Sequence, residues 1–265
     1  MSDFLTTSPA RAGAVHHEAV MGTVVTFDVR TPLPAERVEA AVQAAVGWLH
    51  WVDLTFSTYQ HGSEVNRFDR GELAAADGCA ELRYILRLCH ELHESTGGFF
   101  DAWATARFDP SAVVKGWSID QASSILVAAG FADHAIDGGG DVRLGGTPGP
   151  GLVWQVGVRH PRRRDAYSAV LSLPGGAVAT SGTYERGAHV VNPLTGRPAT
   201  ELVSVTVVGP ELTTTDAYAT AALAMGADAP GWLEGLDGYE AQVVSEQGRG
   251  WSTPGFKRLE WQLGG

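Results

Sequence analysis

Apolar residues recur at helical spacing in three stretches of the chain. Val38, Ala41, Val42, Ala45, Val46, Leu49 and Val52 lie three and four apart, so a helix follows the breakers Pro32 and Pro34. Leu82, Ile85, Leu86, Cys89 and Leu92 form a second stripe between Glu81 and Ser95, and Gly97–Gly98 stops it. Ile119, Ala122, Ile125 and Leu126 predict a third helix from about Gly116 to Ala129, and a fourth spans Thr214 to Met225. Ser63 reads as the N-cap of a short helix opening at Glu64. Elsewhere the pattern is β-rich. It predicts one strand over Val15 to Val29, another over Ala135 to Asp137, and a hairpin of Leu152–Val158 and Tyr167–Leu173 joined across Pro161 to Asp165. Further strands are expected at Ala177–Thr180, Ala188–Val191, Val203–Val208, Tyr239–Val244 and Leu259–Leu263. Helices and strands mix without regular βαβ alternation. That favours an α+β fold with mixed or antiparallel sheets, packed helices and a single compact unit. Residues 1–14 read as a flexible N-terminal tail and 15–265 as the domain.

Composition narrows the function. The chain has 265 residues, 44% of them hydrophobic, and 19 basic against 30 acidic side chains, a net charge of −11. Nucleic acids need clustered Lys and Arg, and anionic membranes repel an acidic surface, so neither is an expected partner. A phosphate-bearing ligand would need a metal cation to offset the protein's own charge. Cys79 and Cys89 sit ten residues apart on one helix, too far for a disulfide within it. With no apolar run of signal-peptide or membrane-span length, the expected location is the cytoplasm.

Four constellations can carry chemistry. Asp216 and Thr220, four apart on a helix, put a carboxylate and a hydroxyl on one face, a donor pair that suits a hard cation such as Mg²⁺. The same residues are also what an ordinary helix start and packing contact would use. In FDPSAVVKGWSID, Lys115–Gly116 is read as opening a helix, and a helix N-terminus beside a lysine attracts phosphate. An ordinary loop with a solvated lysine is the alternative. The glycine run of Asp137 to Asp141 permits either close backbone approach to a ligand or a tight turn. His189 lies in a Ser-, Tyr-, Glu- and Arg-rich segment and suits a general base; it is equally a histidine on a half-exposed strand. The spacings of Walker A, Rossmann, serine-hydrolase and H-E-x-x-H zinc motifs are missing.

The order of these signals is more specific than any one of them. Met21–Gly22–Thr23 is followed by FSTYQHGSEVNRF from Phe56, GGFFDAW from Gly97, FDPSAVVKGWSID from Phe108 and IDGGGDV from Ile136. SGTYERGAHVVNPLTGRP from Ser181 and TDAYATAALAMG from Thr215 complete the series. In these blocks, from about residue 15 to 227, the chain resembles the ApbE family, the FAD:protein FMN transferases. The resemblance implies an ApbE-like, T-fold-related architecture. It also implies a reaction in which FAD is cleaved at its pyrophosphate, FMN passes to a Ser or Thr hydroxyl of an acceptor flavoprotein, and AMP leaves. Mg²⁺ assists, with Mn²⁺ an alternative.

Position by position, the resemblance places Met21, Tyr59, Phe99, Phe100, Asp101, Asp109, Lys115 and Val190 against FAD. It places Asp216, Thr220 and the backbone carbonyl of Ala112 on the metal, and makes His189 the candidate base. Asn192 departs from the family's usual Asp in the H-[IV]-[IV]-D-P motif. The loop between Tyr184 and His189 is short. Some family members hydrolyse FAD to FMN and AMP instead, and a flavin-binding protein without turnover is a third reading. Tyr59 leans toward transfer, because Asn at that position is associated with hydrolysis.

Overall fold

The computed structural model describes residues 13–163, 165–183 and 190–261. Its first expected strand is two. β1 (Ala14–Val20) and β2 (Thr23–Val29) form an antiparallel hairpin in which Val20 faces Thr23 across Met21 and Gly22. Both turn residues have left-handed backbones, with φ of 53° and 70°. Tight two-residue hairpin loops require that geometry. Glycine adopts it freely and methionine only at a steric cost, so the alternation of 15–29 runs through a turn that Met21 does not announce.

The chain continues through α1 (Ala35–Phe56), α2 (Glu64–Asp69), α3 (Ala80–Ser95) and α4 (Ser111–Ala128). Strands β3 (His134–Gly138), β4 (Val142–Gly145), β5 (Trp154–Arg159), β6 (Tyr167–Leu173) and β7 (Gly176–Gly182) follow. The two-residue strands β8 (Val191–Asn192) and β9 (Arg197–Pro198) precede β10 (Leu202–Gly209). The remainder is α5 (Leu212–Met225), α6 (Ala229–Glu234), β11 (Glu240–Ser245), β12 (Gly250–Ser252) and α7 (Pro254–Leu259).

Eight strands form one sheet in the order β1-β2-β3-β4-β7-β10-β11-β12, and every pairing between them is antiparallel. Strand alternation splits its two faces between two cores. Ile136, Ala177, Ala179 and Val207 join Val42, Leu49, Ile119 and Leu223 in the core under α1, α4 and α5. Their neighbours Ala135, Val178 and Val208 join Trp154 and Leu171 of the β5–β6 hairpin and Phe256 of α7 on the other side. α5 is buried almost all round, which is why its sequence is apolar without a polar stripe.

α4 begins five residues before the expected Gly116. Pro110 precedes it, where a missing N–H costs nothing, and Asp109 Oδ1 accepts from Ser111 N at 3.0 Å. Gly116 therefore lies inside the helix, and its role is steric. A Cβ there would stand 2.6 Å from the Leu212 carbonyl oxygen, so the bare glycine lets α4 and α5 cross. Asp120, one turn on, caps α5. Its carboxylate accepts from Leu212 N at 3.1 Å, from Thr213 N at 2.8 Å and from Thr213 Oγ1 at 2.6 Å. Arg143 Nε lies 3.1 Å from the same carboxylate.

The strand expected at 259–263 is corrected at Leu259, which ends a helix, while Glu260 makes an isolated antiparallel bridge to Leu171 and Trp261 N donates to Val170 O. Residues 254–259 are helical, with Thr253 Oγ1 accepting from Phe256 N at 3.3 Å. Residues 262–265 lie outside the described residues, as do most of the expected tail and the first half of the strand expected at 188–191.

Candidate functional site

The α4–α5 crossing forms the floor of a cleft of ≈ 1030 Å³, walled by the β3–β4 turn, β7 and the loops after α1 and α3. Lys115, in the second turn of α4, places its Nζ 3.3 Å from Asp216 Oδ2 and also pairs with Asp141. Asp141 and Asp216 are each 3% exposed. The second oxygen of Asp141 accepts from Thr180 N at 2.9 Å. Burial pushes the Lys115 pKa down, but attraction to Asp141 and Asp216 and the bonds they accept outweigh it. The net shift is upward, so the ammonium stays charged. Thr220, one turn beyond Asp216, shares a 3.1 Å hydrogen bond with Ser181 Oγ.

The expectation that Lys115 marks a helix N-terminus is thus corrected: two carboxylates from other elements position it, and no helix end does. The glycine run serves the same floor. Gly139 and Gly140 have φ of 74° and 106°, Gly140 N donates to Asp137 Oδ1 at 2.7 Å, and the turn delivers Asp141 to the ammonium. A Cβ at Gly139 would meet Thr23 Oγ1 at 2.6 Å. This turn and the Met21–Gly22 turn therefore pack together.

One wall is apolar with polar points. Met21 lines it, its sulfur 3.6 Å from Ser118 Oγ. Phe99, Phe100, Asp101 and Asp109 line it from the loop between α3 and α4. Asp101 Oδ1 is occupied by Trp103 N at 2.8 Å, and Asp109 Oδ1 by Ser111 N. Tyr59 stands at the rim, 95% exposed. Its loop is clasped by Asn66, whose Nδ2 donates to Ser57 O at 3.1 Å and to Gln60 O at 2.9 Å. Ser63 caps α2 as expected, accepting from Asn66 N at 3.2 Å. Ala112 and Val190 also line the cleft. His189 lies outside the described residues. The other eleven residues expected from the sequence therefore meet in one place.

Asn192 shows what its departure from Asp does. Its Oδ1 accepts from Leu194 N and Thr195 N, while Nδ2 donates to Ala224 O near the end of α5 at 3.0 Å. A carboxylate could make the first two bonds but not the third.

Sequence reasoning did not select Asp141, Thr180, Ser181, Arg159 or Tyr167 as site residues, and all five line the cleft. Arg159 and Tyr167 face each other only through the β5–β6 register. The Tyr167 ring lies over Gly157, where a Cβ would approach it to 2.5 Å. A glycine two residues before the aromatic's strand partner, leaving room for the ring, was the available signal in the predicted hairpin.

Among the described residues no cluster of three His, Cys, Asp or Glu side chains could hold a metal. A soft or borderline metal would want such a cluster. Asp216 and Thr220, one helical turn apart, line the cleft with Ala112, and oxygen donors as sparse as these are of the kind Mg²⁺ takes alongside water and phosphate.

A sequence model of the ApbE family matches residues 21–106 and 103–243. The chain belongs to the ApbE family. Among the relatives of this ApbE chain, the FAD:protein FMN transferase of Escherichia coli K12 is 30% identical over 162 residues. The match covers 56% of this chain and 46% of that protein. The enzyme of the same name from Rhodobacter capsulatus is 33% identical over 169 residues, 60% of this chain and 32% of that one. The chain thus spans less than half the length of these curated relatives. The fold agrees with a crystal structure of the ApbE protein from Thermotoga maritima, at TM-score 0.83 and 23% identity over 94% of this chain and all of that one. The flavin transferase ApbE from Vibrio cholerae agrees at TM-score 0.79 and 20% identity, over 95% of this chain and all of that one. The α+β architecture, with helices packed on an antiparallel sheet, is that of ApbE.

Proposed function

We propose that this chain is a Mg²⁺-dependent FAD:protein FMN transferase. It cleaves FAD at the diphosphate, joins FMN by a phosphoester to a Ser or Thr hydroxyl of an acceptor flavoprotein, and releases AMP. The observation that carries the reading is the floor of the cleft: a charged lysine between two nearly buried carboxylates, with Thr220 one turn from Asp216. The family and the names of the relatives support it. So does the size of the cleft, at the upper end of small-molecule sites.

In this reading Met21, Tyr59, Phe99, Phe100 and Val190 hold the flavin nucleotide, and Asp101 and Asp109 meet its polar groups. Lys115 donates to the diphosphate. Asp216, Thr220 and the Ala112 carbonyl would hold Mg²⁺, with Mn²⁺ the alternative. When bound, the ion supplies charge stabilisation at the phosphate that leaves with AMP. His189 takes the proton of the acceptor hydroxyl. No helix among the described residues is long and apolar enough to cross a membrane. We place the reaction in the cytoplasm, where Cys79 and Cys89 would stay as thiols.

Incubation of the protein with FAD, Mg²⁺ and candidate acceptors tests this. Covalent FMN on an acceptor, dependent on Mg²⁺, is the expected result. Free FMN and AMP at the same rate with and without acceptor would make it a pyrophosphatase, and tight FAD binding without cleavage would make it a binding protein.

A further inference from the structure

Six aspartates line the cleft among the described residues, namely Asp53, Asp101, Asp109, Asp137, Asp141 and Asp216, against Lys115 and Arg159 as cations. Three different elements bring the central charges together: α4 supplies Lys115, the β3–β4 turn supplies Asp141, and α5 supplies Asp216. A carboxylate that is nearly buried is costly without a counter-charge, and the lysine provides one for both. The two carboxylates are not equivalent. Asp141 is also fixed by the Thr180 backbone N–H, whereas Asp216 sits one helical turn from Thr220 on the hard-oxygen face.

We propose that Lys115 is the built-in counter-cation of the metal-free site, and that Asp141 is the tether that keeps it in place when a divalent ion takes Asp216. Lys115 and the incoming ion compete for one carboxylate oxygen. Asp141 settles the competition, because it retains the ammonium beside the floor once Asp216 is occupied. The lysine is then a positioning residue for the empty site and a phosphate donor in the filled one. This inference rests on the reading of Asp216 as a metal ligand, and it requires no FAD.

The test is calorimetric titration of nucleotide-free, EDTA-stripped protein with MnCl₂, alongside thermal unfolding of the same samples. Lys115→Met should bind Mn²⁺ about tenfold more tightly than the parent, since a contact charge that must be displaced is gone. Its metal-free Tm should fall and saturating Mn²⁺ should restore it. Lys115→Gln keeps a hydrogen-bond donor without charge, and it should show the same gain if the methionine variant fails to fold. Asp141→Asn should bind Mn²⁺ more weakly than the parent, because the ammonium then leans on Asp216 alone. A lysine with a purely structural role would lower Tm and leave Mn²⁺ affinity unchanged. Parent-like or weaker Mn²⁺ binding in both Lys115 variants overturns the proposal, as does absence of Mn²⁺ binding in parent and variants alike. If the titrations follow the expected pattern but the parent does not cleave FAD, the counter-cation role stands and the transferase reading fails.

Discussion

Asp120 reaches Thr213 across 93 residues of chain to lock α4 against α5, whereas the loop that carries Tyr59 is bonded within nine residues by Ser63 and Asn66. The floor of the cleft is buried and assembled from distant segments, so on the proposed function its side chains support the fold and the chemistry together. The rim is exposed and assembled locally, so its side chains are free to serve binding alone. Substitutions should separate the two regions: floor changes alter stability, turnover or both, and rim changes alter affinity with the fold intact.

The largest effect is expected at Asp216. Asp216→Asn keeps the shape of the floor and removes the charge. Metal-dependent FAD cleavage should fall by about 10²–10³, the scale of losing one preorganised electrostatic contact. Stripping the parent of divalent ions should produce a comparable fall. The rate measured at saturating FAD checks both, and an undiminished rate in Asp216→Asn would break the assignment of the floor to catalysis.

Next is the crossing itself. At Gly116→Ala the new methyl meets the backbone of Leu212 and Thr213, at 2.6 to 2.9 Å, and backbone cannot rotate away. A stability loss of about 1–3 kcal/mol is expected, read by denaturant unfolding. Gly47, within α1, has nothing within 4 Å of its ideal Cβ. Gly47→Ala should therefore stabilise by about 0.5–1 kcal/mol. The same substitution with opposite signs at two helical glycines isolates the crossing as the cause.

Gly116 also shows what can be read from sequence and what cannot. Periodicity located α1 and α3 because their stripes are local properties of the chain. It started α4 too late because a glycine after a lysine looks like a boundary, while its actual partner, Leu212, is far along the chain. Met21 hid a turn for the converse reason: a bulky residue occupies the left-handed conformation that usually announces itself as Gly or Asn. Leu259 reads as the start of a strand, but the cap Thr253 and the following Pro254 commit residues 254–259 to a helix, and the bridge to Leu171 begins only at Glu260. The motif residues of the cleft were legible because they lie in compact blocks. The geometry that makes Lys115 and Asp141 partners was not, since it depends on how the β3–β4 turn meets α4.

Behind the floor, His134 gives the fold a pH dependence. It is fully buried on β3, with Nδ1 2.8 Å from Phe131 O and Nε2 2.8 Å from Ser123 Oγ. One neutral tautomer satisfies both partners, with Nδ1 donating and Nε2 accepting. Burial lowers its pKa below the ordinary 6.5. Below that value the unfolded chain binds a proton that the folded protein resists, so stability present above about pH 6.5 is lost as pH falls toward the depressed folded value. The loss reaches at most about 1.4 kcal/mol per pH unit. Melting curves between pH 7.5 and 5.5 should show a shallower decline for His134→Gln than for the parent. Equal slopes would mean that the histidine does not couple protonation to folding.

The smallest effect on stability belongs to Tyr59. With 95% of its surface exposed, its ring contributes little packing, and Tyr59→Ala should change unfolding free energy by less than about 0.5 kcal/mol. The loop beneath keeps its bonds from Asn66 and Ser63, which involve the backbone of Ser57 and Gln60 and not the tyrosine ring. FAD affinity should nevertheless weaken by about 1 kcal/mol, the scale of one aromatic stacking contact. Asn66→Ala supplies the converse. That side chain is buried, and removing it leaves the two carbonyls that shape the loop with only their bonds from Ser63, so stability and FAD affinity should fall together. If Tyr59→Ala instead destabilised the protein as much as Asn66→Ala, the rim would be part of the folding core, and the division between floor and rim would not hold.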